Sequence, residues 1–217
     1  MSITDLIFLI ITVGLIFYTG WFLIPRSVYL LFPSAIKCSF MENQHTLTKQ
    51  KEKILVLLNE IQNLGFIKLG TKIEKPPLWA RGVGTIIFTS TNASEIVSVF
   101  VVGKKTIYYF LTLFNGGQIV LTANNYYKTV NTDYLYQSVV TTNNPEEVLE
   151  IHRKHVETFG IKGFTPVREY TEKTILSETS IYYKFPEVRK GMRIAGATNL
   201  VLFIIFCLPL IYVIYHL

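Results

Sequence analysis

Leu6 to Ile24 is a run of 19 residues without a charged side chain, and Ile194 to Tyr215 is a second of 22. A helix rises about 1.5 Å per residue, so each run is long enough to cross a hydrocarbon layer of roughly 30 Å. Neither shows the polar stripe that a core helix of a soluble protein turns to water. The first run is also a poor secretory signal. The segment before it, MSITD, has no basic residue, and Trp21-Phe22-Leu23-Ile24-Pro25 is bulky where a cleavage site needs small side chains. Two retained spans, 6–24 and 194–215, are therefore expected at opposite ends of the chain. Tyr18, Trp21, Tyr212 and Tyr215 suit an interfacial aromatic belt, whereas Gly14 and Gly20 are too far apart for a GxxxG seam.

The charges lie between the spans. All 21 Lys and Arg residues fall from Arg26 to Arg193, against 14 of the 15 acidic ones, so this stretch carries a net +7. Arg26 and Lys37 follow the first span, and Lys184, Arg189, Lys190 and Arg193 precede the second. Basic flanks stay cytoplasmic, which predicts both termini outside and the middle of the chain inside. Lys49, Lys51, Lys53, Lys68, Lys72, Lys75 and Arg81 make the start of the middle segment basic. For a tethered domain the nearer anionic partner is a lipid headgroup, and no nucleic acid is expected. Cys38 and Cys207 have no disulfide or metal spacing, and the Asn92-Ala93-Ser94 sequon would matter only in a lumenal domain.

A membrane-proximal linker, 25–46, leads to an expected cytoplasmic domain, 47–185. Ile54, Leu57, Leu58, Ile61 and Leu64 recur at helical spacing, with Gly65 as a stop. The apolar runs 83–91, 95–102, 106–114 and 118–123 are separated by NAS, GKK and NGG, turn chemistry that predicts an antiparallel meander, and 134–140 offers a fifth strand. Asn144-Pro145-Glu146-Glu147 marks the start of a second helix that Gly160 ends; its acidic residues, with Glu150, complement the helix dipole. The stretch from about Thr165 to Lys184 reads as polar loop. The fold class predicted is α+β, an antiparallel meander covered by helices and flanked by two transmembrane helices.

The order of these elements, with Leu64-Gly65-Phe66 closing the first helix, TLFNGGQIVLTANN spanning a hairpin, and Leu149, His152 and His155 on the later helix, resembles that of membrane-anchored bacterial proteins of no assigned activity. The resemblance covers about half the chain. It implies a layout and no catalytic residue.

Chemistry is sparse. His152-Arg153-Lys154-His155 sets two histidines at i and i+3, not the i and i+4 of helical metal pairs, and reads as a core histidine with a backbone partner beside a surface one. Gly116-Gly117 precedes a strand, so it reads as a turn and not a phosphate cradle. No metal, cofactor or catalytic residue is expected. Trp79, Arg81, Tyr126, Tyr127, Arg189, Lys190 and Arg193 are the candidate partner or headgroup contacts, with Tyr126-Tyr127 and Tyr182-Tyr183 in loops. The expected function is a non-catalytic accessory or interaction subunit of a membrane complex, with membrane lipids and other membrane-protein subunits as partners. A lipid- or small-ligand-binding domain at the membrane surface is the alternative, and an enzyme using His152 or His155 the third reading.

Overall fold

The computed structural model describes residues 3–41, 51–75, 82–92, 94–125 and 127–216. In chain order the elements are α1 (Ile3–Leu31), β1 (Lys37–Met41), α2 (Lys51–Asn63), β2 (Phe66–Lys75), β3 (Val83–Ser90), β4 (Ile96–Val102), β5 (Lys105–Leu113), β6 (Ile119–Ala123), β7 (Val130–Asn131), β8 (Leu135–Val139), α3 (Pro145–Ile161), α4 (Glu172–Tyr182) and α5 (Pro186–His216). They fall into two compact units. One holds the terminal helices, and the other runs from Cys38 to Glu74 and from Gly82 to Phe185.

In the first unit, α1 and α5 are each long and apolar enough to cross a membrane. Both extend beyond the uncharged runs. Helix α1 continues through Pro25 to Leu31, so the expected linker begins as helix. The two helices pack antiparallel, Gly20 against the Phe203 ring and Gly196 against Ser27, Leu30 and Leu31. A Cβ at Gly196 would lie 3.0 Å from both the Ser27 carbonyl oxygen and Leu30 Cβ. On α1 the buried positions are Thr12, Gly20 and Ser27. Their spacing of eight and seven residues is close to the repeat of a coiled-coil seam, and small residues there let the backbones approach without a GxxxG pair. Phe17, Trp21, Phe22, Leu202 and Ile205 point outward.

The second unit is built on one eight-stranded sheet in the order β1-β2-β3-β4-β5-β6-β8-β7. The four apolar runs form β3 to β6, an antiparallel meander that β2 extends. The fifth run is β8, which pairs parallel with β6, so the sheet is mixed and not a simple meander. Short β7 folds back on β8 at the edge. Helices α2 and α3 cover one face, where Leu57, Ile61, Val148 and Leu149 pack on Phe88, Val97 and Phe110 of the sheet. Helix α4 lies on the other face. Every residue of β6 is buried because both faces are covered, which is why this strand reads as a continuous apolar run and not as an alternation.

The capping signals act as the sequence predicts. The Asn144 side chain accepts the Glu146 backbone N–H at 3.0 Å, and α2 ends at Gly65, whose φ is +86°. Helix α3 passes Gly160 and stops one residue later; Gly163, at φ +88°, turns the chain instead. Residues 165–184 are not all loop, since α4 occupies 172–182.

Candidate functional site

Strand β2 carries a register shift between Lys68 and Gly70. Phe66 pairs with Ser90, and Lys68 with Phe88, on the α2–α3 face; past the shift Lys72 pairs with Thr85, which shares the opposite face with Ile87. The bulge thus changes the side to which alternate residues point. Without it Lys72 and Glu74 would lie on the same face as Phe66. Gly70, just past the shift, lets β1 approach closely, because a Cβ there would come within 2.7 Å of the Met41 carbonyl oxygen and the Phe40 ring.

Lys72 is consequently buried, not part of a solvated basic surface as the charge pattern implied; Lys68 and Lys75 are the exposed ones. Its ammonium donates to Glu74 Oε1 at 3.0 Å and to Thr179 Oγ1, on α4, at 2.9 Å. Tyr183, the C-cap of α4, donates to Glu74 Oε2 at 2.7 Å. Tyr182 donates to Gln137 Oε1 of β8 at 2.7 Å. Glu178 enters the same face fully buried, and its Oε2 has no hydrogen-bond partner among the described residues. Tyr109 and Tyr127 close the cluster with rings 5.5 Å apart, and Tyr127 also meets Tyr182 at 6.5 Å.

Electrostatics follow from the enclosure. Burial opposes the Lys72 charge, but Tyr109 when ionised, Glu74 and Glu178 outweigh it, and its pKa is well above the ordinary lysine value. Burial raises Glu178 to about 7, with Lys72 lowering and Glu74 raising it further. Burial also pushes the Cys38 thiol up to about 11 and Tyr109 up to about 12. At neutral pH the lysine is therefore an ammonium and the cysteine a thiol, neither of them a nucleophile.

A second polar cluster lies between α3 and the other face. His152 is buried, with Nε2 3.0 Å from Thr112 Oγ1 and Nδ1 3.2 Å from Thr122 Oγ1. Its partners are strand hydroxyls and not backbone groups. Burial, then His155 and Arg153, lower its pKa to about 3, so the ring is neutral. His155 is half-buried, not a surface residue; Thr122, Ser138 and the Tyr136 hydroxyl surround its ring at 3.3–3.4 Å. Arg153 fixes α3 further through a two-pronged pair with Glu95, at 3.0 and 3.1 Å.

Of the contacts read from the sequence, Trp79, Arg81 and Tyr126 lie outside the described residues. Tyr127 is half-buried against Tyr109 and Tyr182. Tyr182 ends α4 and is not a loop residue, whereas Tyr183, its C-cap, stands in the turn that follows. Lys190 and Arg193 are exposed on the first turns of α5, and Arg189 is half-buried there. Lys72, Glu74, Tyr109 and Glu178 escape a reading of the sequence. The signal that would have found them is Thr171 as an N-cap followed by Ile175, Glu178, Thr179 and Tyr182 at helical spacing. No protein-family model, curated protein or solved structure matches the chain.

Proposed function

We propose that this chain is a two-span integral membrane protein whose α+β domain is a non-catalytic interaction module, an accessory subunit of a membrane complex. What supports this reading is that the side chains best equipped for chemistry hold helices to the sheet. Lys72 and Glu74 bind α4, and His152 binds α3 through Thr112 and Thr122. Lys72 and His152 are enclosed, and the lysine is held as an ammonium, which is not a nucleophile. The domain is cytoplasmic and both termini lie outside, a reading supported by the confinement of all 21 basic residues between Arg26 and Arg193. Exposed Arg26, Lys190 and Arg193 at the ends of the spans contact anionic headgroups, and the outer faces of α1 and α5 contact lipid and partner subunits.

Extraction in a mild detergent, followed by purification on a tag placed in the α+β domain, tests the proposal. A membrane protein recovered in fixed stoichiometry is the expected result. A lone monomer at every detergent concentration would contradict it.

A further inference from the structure

Beneath α4 two carboxylates share one ammonium. Glu74 holds that ammonium: one of its oxygens accepts from Lys72 and the other from Tyr183, and its side chain retains some contact with water. Glu178 has neither advantage. It is 2% exposed, its Oε2 is unpaired among the described residues, and the second bond of Lys72 goes to Thr179 instead. One cation neutralises one carboxylate, so an ionised Glu178 would enclose a net negative charge, which a protein interior disfavours strongly.

The buried stripe of α4 is Ile175, Glu178 and Thr179, two of the three polar. Hydrogen bonds and charge therefore carry part of the hold of this helix on the sheet, beside the packing of Ile175. We infer that Glu178 is a proton-binding site, and that its proton controls how firmly α4 sits on the sheet. The groups facing it are Lys72 and Glu74 from β2, Cys38 from β1, Tyr109 from β5, Tyr127 from the segment after β6, and Tyr170 from the segment before α4. Burial keeps the thiol and the phenols neutral at physiological pH, so the Lys72 ammonium is the one cation among these groups. The balance places the titration of Glu178 at about 7. Only residues 183–185 separate α4 from α5, so the helix that senses the proton is next in the chain to the second span. This inference stands on the α4 face alone and does not depend on the interaction-module reading.

Backbone hydrogen exchange of the full-length protein in detergent tests it, with times scaled for intrinsic exchange and α3 as the internal reference. When α4 opens, Glu178 regains an ordinary carboxylate's acidity, so opening becomes easier as pH rises toward 7 and levels off above it. Protection of the α4 amides should fall on the order of tenfold between pH 5.5 and pH 7.5, whereas α3, which carries neutral His152, should hold or gain protection over the same range. In Glu178→Gln the α4 protection should stay at the low-pH level throughout. Lys72→Met provides an independent arm, because loss of the cation should move the wild-type midpoint to higher pH. Flat α4 protection in the wild type, an unchanged slope in Glu178→Gln, or an unmoved midpoint in Lys72→Met would each overturn the inference.

Discussion

Replacing Lys72 with Met keeps most of the aliphatic stem and removes the charge, so the change in stability reports on electrostatics with little loss of packing. Lys72 is 2% exposed, and its ammonium lies 3.0 Å from Glu74 Oε1 and 2.9 Å from Thr179 Oγ1. Deleting one partner of a buried pair costs about 3–5 kcal/mol, because the other charge is left uncompensated. The lower end applies here. Glu74 is 16% exposed and keeps the Tyr183 hydroxyl at 2.7 Å, which supports its charge after the lysine is gone. For a chain of this size 1 kcal/mol moves the Tm by about 2–4 °C, so a loss of about 3 kcal/mol lowers it by roughly 6–12 °C. The native pKa of Lys72 is raised, so its contribution is complete below the ordinary lysine value and is lost only as pH rises through the native one. A thermal melt at pH 7, followed by circular dichroism of the full-length protein in detergent, therefore reads the whole effect. Lys72→Met/Glu74→Gln should recover at least half of the loss, since it removes the orphaned carboxylate as well. A single variant within about 2 °C of wild type, or a double variant no better than the single, would refute the buried pair as the tie between β2 and α4.

Glu178 and His152 should oppose each other in a pH series of melts. The proton held by Glu178 stabilises the fold fully below its ordinary value of 4.5, and that stability is lost as pH rises to about 7, roughly 3 kcal/mol in all. Neutral His152 contributes stability above its ordinary value of 6.5 that is lost as pH falls toward 3. The two slopes offset between pH 4.5 and 6.5, so His152→Gln should uncover a Tm that falls steadily with rising pH across that window; a level profile would refute the pairing of slopes. In the membrane unit, Gly196→Leu should force α1 and α5 apart and lower the Tm by several degrees, at a cost of about 1–3 kcal/mol. Gly191→Leu, on the same helix but with nothing within 4 Å of its Cβ, should leave the Tm unchanged; equal losses in both would show that the seam is misplaced.

The parts of the fold legible in the sequence are those in which one physical signal acts alone. The spans show in uncharged length, β3 to β6 in apolar runs, and α3 in its Asn144 cap. Helix α4 was hidden because its buried stripe, Ile175-x-x-Glu178-Thr179, is mostly polar and sets no hydrophobic period. Strand β2 was hidden for a related reason. Its lysines and glutamate read as surface, and the bulge before Gly70 breaks the alternation that would have shown Lys72 turning inward. The candidate site falls between these two elements, so neither half announced the other. The histidines show the reverse case. The sequence marks His152 as a core residue through its place beside Val148 and Phe159, but its partners, Thr112 and Thr122, come from strands 40 and 30 residues away.

Labelling single cysteines from one side of sealed vesicles bears most directly on the two-span arrangement. In a background without Cys38 and Cys207, Thr4→Cys, Tyr215→Cys and Ile161→Cys place probes near either end of the chain and on an 88% exposed position of the domain. With a membrane-impermeant maleimide, positions 4 and 215 should react from one side of the bilayer and position 161 only from the other. Reaction of position 161 from the same side as position 4 would contradict two membrane-crossing helices that hold the domain on the opposite face.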